Sequence, residues 1–88
     1  VDASRFLYMY AAWLKDEGKP FSLAASKAKL FCSECAARHT TKAVQIQGGY
    51  GFMTGAKVER LYRDVKLTEI GEGTSEAQRM IIAGAALR

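Results

Sequence analysis

Glu72 stands between Gly71 and Gly73, and Thr74, Ser75 and Glu76 follow it directly. Glycine on both sides removes Cβ atoms and permits positive φ, so the chain can turn tightly and a ligand can approach the backbone. Thr74 is a good N-cap type, and Ala77, Met80, Ile81 and Ala85 behind it recur at helical spacing. A helix start leaves N–H groups free and presents the positive end of the dipole, where phosphate or another anion can rest. A base, an open backbone and an anion seat in one short stretch mark a candidate site. A lone glutamate in a turn is more often a surface charge, so spacing alone leaves the catalytic reading a minority one.

Three further constellations carry chemistry-bearing types. Cys32, Cys35 and His39 fall on one helical face and are metal-ligand types, but a tetrahedral site needs four ligands and no second pair completes one. Packing as small hydrophobes at a helix interface is the better reading of both cysteines, and no metal site is expected. Gly48, Gly49 and Gly51 surround Tyr50, yet a dinucleotide fingerprint needs a strand before it, and here a helical pattern precedes it. A helix C-cap and turn accounts for them, although three glycines in four residues exceed what one cap needs. Arg60, Arg63 and Asp64 read as a solvated helix face with a local ion pair.

The elements that must hold these residues are helices. Phe6, Met9, Tyr10, Trp13 and Leu14 predict a helix from about Ser4 to Glu17, capped by Asp2 or Ser4 and ended by Gly18-Lys19-Pro20. Ser22 begins a second, which runs from Leu23 to about Gln47 with a stripe of Ala24, Ala28, Phe31, Cys35, Lys42 and Ile46. A loop follows to about Lys57. Val58, Leu61, Tyr62 and Val65 predict a shorter third helix, with Lys66 to Gly73 as one turn and then extended chain. A last helix spans about Ser75 to Leu87. No strand alternation, repeat or low-complexity tract interrupts this pattern, and the fold expected is all-α, an antiparallel four-helix bundle.

Composition narrows the classes. The 88 residues suit one small domain, and an apolar content of 49% excludes disorder. Net charge is +4, from 13 Lys and Arg against 9 acids, with both signs scattered, so a nucleic-acid surface has little support. No apolar run is long enough for a membrane span. Two cysteines in an alanine-rich helical segment fit a reducing compartment. The start, Val1-Asp2-Ala3, has neither a signal-peptide pattern nor an initiator Met, so the chain is expected to start in mid-protein or to have been trimmed.

Three segments, Ala43 to Phe52, Val58 to Asp64 and Ile70 to Arg79, together resemble the acyl-CoA dehydrogenases, in order and without gaps. The resemblance covers essentially all of residues 1–88, as the C-terminal helical domain that follows an N-terminal helical and a middle β-domain in that family. It implies FAD as cofactor and removal of two hydrogens from the α and β carbons of an acyl-CoA thioester. Glu72 is then the base that takes the α-proton, with its own N–H helping to polarise the thioester carbonyl. Gly73 is expected against the substrate, and Thr74, Ser75 and Glu76 against FAD. Gln45, Ile46, Gln47, Gly48 and Gly49 are expected to reach the ADP part of an FAD held mainly by a neighbouring subunit, which makes the glycine turn a ligand contact after all.

The resemblance further implies a homodimer or homotetramer, and an electron-transferring flavoprotein as acceptor. It places the protein in the cytoplasm of a bacterium or the mitochondrial matrix of a eukaryote. Two positions depart from the family pattern: Gly71 where many members have tyrosine, and Gly84 where many have arginine. The first widens the pocket beside the base; the second removes a substrate contact. The alternative readings are a non-catalytic helical assembly module on the same fold and a relative running flavin-dependent oxidation by oxygen.

Overall fold

A computed structural model describes residues 1–87. Four long helices and one short turn of helix make up the chain: α1 (Asp2–Asp16), α2 (Ser22–Gln47), α3 (Gly49–Phe52), α4 (Lys57–Ile70) and α5 (Ser75–Ala86). The all-α expectation holds.

The 26-residue α2 is the axis, and α1, α4 and α5 all pack against it. Helix direction follows from which residues meet. Leu14 lies near Pro20 and Leu23, and Cys32 Sγ donates to Ser4 O across 3.5 Å, so α1 runs antiparallel to α2. Leu67, Thr68 and Gly71 meet Lys29, Cys32 and Ser33, which makes α4 antiparallel to α2 as well. Lys29 reaches Gly73 and Glu34 reaches Arg79, so α5 runs parallel to α2.

The seam along α2 differs from the predicted stripe. Of that stripe Ala28 is buried and Ala24 and Cys35 half-buried, but Phe31, Lys42 and Ile46 are exposed, whereas Ser26 and Ser33 are buried and Ala37, Thr40 and Val44 half-buried. Small side chains let helices approach closely. The hydroxyls cost little there because they donate back to their own helix, Ser33 to Lys29 O at 2.7 Å and Thr40 to Ala36 O at 2.9 Å. Only Leu14 and Ala28 are buried apolar residues among those described.

Several helix ends also depart from expectation. Val1 holds the N-cap position of α1 and neither Asp2 nor Ser4 caps it; Asp2 sits inside the first turn, where its negative charge complements the dipole's positive end. Phe21, not Ser22, precedes α2. The stretch from Lys66 stays helical to Ile70, supported by the Lys66–Glu69 pair at 2.9 Å, and the chain leaves the helix only at Gly71. The last helix ends at Ala86, with Leu87 as its C-cap.

Candidate active site

The turn between α4 and α5 is built as its residue types demand. Gly71 N donates to Leu67 O at 2.7 Å and closes α4. Thr74 Oγ1 accepts from Ala77 N at 3.1 Å, which makes Thr74 the only side-chain N-cap among the described helices.

Between these fixed ends Glu72 takes φ 59°, the only described non-glycine residue with positive φ. A non-glycine residue there costs on the order of 1–3 kcal/mol and is held by its surroundings. The flanking glycines are not equivalent in this respect. Gly71 has an ordinary φ of −72°, whereas Gly73 has φ 105°, and a Cβ on Gly73 would lie 2.6 Å from Gln78 Nε2. Positive φ thus falls on Glu72 itself and on the glycine after it. No backbone or side-chain acceptor among the described residues takes the N–H of Glu72 or Gly73.

The turn separates two clefts. On one side Glu72 and Gly71 line a predominantly apolar cavity of about 520 Å³ with Lys29, Cys32, Ser33, Leu67 and Thr68. A Cβ on Gly71 would meet Leu67 O at 3.0 Å, so its absence leaves this wall open beside the carboxylate. On the other side Thr74, Ser75 and Glu76 line a smaller polar cleft of about 240 Å³. There Arg79 Nη2 donates to both oxygens of Glu34 at 2.6 and 2.9 Å, and Lys66 pairs with Glu69. These carboxylates raise the pKa of Arg79 and of Lys66 above their ordinary values, by hydrogen bonding first and charge second. Ser75 Oγ, also in this cleft, is buried and has no hydrogen-bond partner.

Gln45, Ile46, Gln47, Gly48 and Gly49 are exposed at the far end of α2. Counted along that helix from Lys29, which touches the Glu72 turn, Gln45 lies about 24 Å away at the helical rise per residue. The chain therefore gathers Glu72 through Glu76 in one place and the glycine turn in another. Gly48 has φ 64° and ψ −143°, a backbone region almost reserved for glycine, and caps α2. Gly49 opens α3 with ordinary φ, and nothing lies within 4 Å of a Cβ built on it. Gly51 is the packing glycine, since its Cβ would come 2.7 Å from Gln47 Cβ.

The other constellations resolve locally. His39 Nδ1 lies 2.7 Å from Cys35 O, and Cys32 packs at the α1–α2 interface. Arg63 pairs with Glu59 one turn back, not with Asp64.

Comparison with known proteins shows the family of this chain. The sequence model of the acyl-CoA dehydrogenase C-terminal domain matches residues 1–87. The chain belongs to the acyl-CoA dehydrogenase family. It is 54% identical over 83 residues to a probable acyl-CoA dehydrogenase of Bacillus subtilis, covering 94% of this chain and 22% of the relative. The butyryl-CoA dehydrogenase structure from Megasphaera elsdenii superposes with a TM-score of 0.96 at 50% identity, covering 99% of this chain and 23% of that one. A chain in the structure described as the electron transferring flavoprotein of Acidaminococcus fermentans gives a TM-score of 0.96 at 48% identity, with 99% and 23% coverage. The chain thus spans less than a quarter of the length of these relatives.

Sequence reasoning missed Lys29, Cys32, Leu67 and Thr68 around Glu72. The available signal was Lys29 itself, a long charged residue at helical spacing from Ser26 and Ser33, on the face of α2 that carries small side chains.

Proposed function

We propose that this chain supplies the catalytic base and part of the FAD site of an enzyme that dehydrogenates an acyl-CoA thioester between its α and β carbons. One observation carries the reading: Glu72, in a left-handed conformation, lines an apolar cavity while its own N–H has no acceptor within the chain. Proton abstraction next to a thioester needs a carboxylate within reach of the α carbon, and an apolar wall beside that carboxylate suits an acyl chain. The free N–H beside it is a donor for a carbonyl oxygen on which charge develops as the α-proton leaves. Gly73, the next residue, is assigned against the thioester, while Gln78 fills the side where its Cβ would stand.

The residues fit FAD in two respects. Ser75 Oγ is a buried hydroxyl still without a partner, between Thr74 and Glu76, and the backbone at Gly48 and Gly49 faces open space. FAD, when bound, supplies the acceptor for the hydride leaving the β carbon. The separation of Gln45 to Gly49 from the Glu72 turn supports assigning that segment to the cofactor of a neighbouring subunit, in a homodimer or homotetramer. An electron-transferring flavoprotein as acceptor is supported by the likeness to the Acidaminococcus chain.

The test is Glu72→Gln in the full-length enzyme. Flavin content should match the parent while turnover falls at least ~10²-fold, the scale of a general base. Turnover within a few fold of the parent would place the base elsewhere.

A further inference from the structure

Lys29 is not among the residues assigned to the reaction above, yet it is the side chain from another helix that bonds to the backbone of the Glu72 turn. Its Nζ donates to Gly73 O, across 44 positions of sequence. That carbonyl belongs to the residue directly after the proposed base, and it precedes the cap Thr74, so it lies outside the hydrogen-bond ladder of α5. Lys29 is half-buried and lines the same cavity as Glu72, rather than the polar cleft on the other side of the turn.

Gly71 N is tied to α4 and Thr74 to α5, but each tie holds one end to its own helix. The residues between them, Glu72 at φ 59° and Gly73 at φ 105°, make no backbone hydrogen bond among those described. Glycine adopts positive φ freely, but Glu72 at positive φ persists only where its surroundings hold it. Gln78 presses on the face of Gly73 where a Cβ would stand, and Lys29 holds its carbonyl. An ammonium group donating to a carbonyl is a stronger tie than a neutral donor, and it orients the peptide plane that follows Glu72.

We infer that Lys29 is a positioning residue: by holding Gly73 O against α2 it keeps Glu72 in the left-handed conformation that aims its carboxylate into the cavity. The inference rests on Glu72 being the base. It assigns Lys29 no contact with substrate or cofactor. The charge is needed on a side chain long enough to reach the carbonyl, so arginine should substitute in part and methionine, of similar girth but without a donor, should not.

The experiment uses the full-length enzyme with Lys29→Met, Lys29→Arg, Glu72→Gln and the Lys29→Met/Glu72→Gln double variant. Flavin content, thermal midpoint, kcat per bound flavin and KM are measured for each. Lys29→Met is expected to retain flavin, to lose on the order of tenfold or more in kcat per flavin, and to change KM little. Lys29→Arg should recover part of that loss. In the Glu72→Gln background Lys29→Met should cost nothing more, because the group it aims is gone. A Lys29→Met enzyme with kcat per flavin within threefold of the parent overturns the inference. So does one that is insoluble or flavin-free, since Lys29 would then hold the fold rather than the base, and so does full additivity in the double variant. Retained turnover in Glu72→Gln alone would instead sink the underlying reading of the site, and this inference with it.

Discussion

At the scale of single residues, the two glycine-bearing turns use glycine for different reasons. Gly48 has a backbone conformation that other residues adopt only under strain, whereas Gly49 has ordinary φ and open space where a side chain would go. Gly48→Ala should therefore destabilise the folded enzyme by roughly 1–3 kcal/mol, whatever it does to ligands. Gly49→Val should leave thermal stability nearly unchanged and lower FAD retention, because only something outside this chain fills the space beside Gly49. Denaturation midpoints and flavin content of the two purified variants separate these effects; a Gly49→Val enzyme that keeps its flavin returns this turn to a simple cap. The site's sequence was legible to the same depth. Glu72, the Thr74 cap and the break at Gly48 follow from local residue types. Which residue takes positive φ, and that Lys29 reaches Gly73, depend on helix–helix packing that no spacing rule encodes.

At the scale of helices, the pattern was most legible where breakers stand and least legible where polar residues pack. Gly18-Lys19-Pro20 and Gly48 end their helices as expected, since proline and left-handed glycine cannot be overridden. Apolarity alone misplaces the seam of α2, because Ser26 and Ser33 are buried there for their small size. The length of α4 was underestimated because Lys66, Thr68 and Glu69 carry no apolar signal; they extend the helix by bonding to one another and to its backbone. Thr68 Oγ1 donates to Val65 O at 2.6 Å beside the Lys66–Glu69 pair. That pair gives a pH-dependent prediction. Glu69 raises the pKa of Lys66 in the folded chain above its ordinary 10.5, so the pair stabilises fully below that pH and its contribution fades as pH rises through the raised value. Lys66→Met should lower the urea midpoint slightly at pH 8, and the gap from the parent should narrow at pH 11. A gap that stays constant would mean that the charge on Lys66 contributes nothing and that its stem packing accounts for the loss.

At the scale of the molecule, the chain exposes more than its mass warrants. Its accessible surface is 6632 Å², against about 5,100 Å² for a compact monomer of 9.7 kDa. Its radius of gyration is 15.4 Å, against about 12 Å for a globular domain of 88 residues. Helices arranged along one axis bury only the stripes that face it, and the rest of their apolar surface stays outside. On α1 this surface is Phe6, Met9, Tyr10 and Trp13, with Tyr10 and Trp13 stacked at 6.1 Å; beyond α2 it is Tyr50, Phe52 and Met53; on α5 it is Met80 and Ile81. Ile82, between them and the end of the helix, is half-buried. Apolar area on this scale destabilises an isolated chain in water and favours association. The flavin contacts assigned above lie at two separate places along α2, beside Glu34 and at its C-terminal end, so a single chain offers each cofactor only part of its contacts, against an association entropy of ~4–15 kcal/mol. Expressed alone, the 88 residues should give a helical, colourless protein that forms dimers or larger species and turns over no acyl-CoA. Circular dichroism, light scattering and a flavin absorbance scan check these expectations together, and a yellow, monomeric, active chain would show that both the cofactor contacts and the exposed faces have been misassigned.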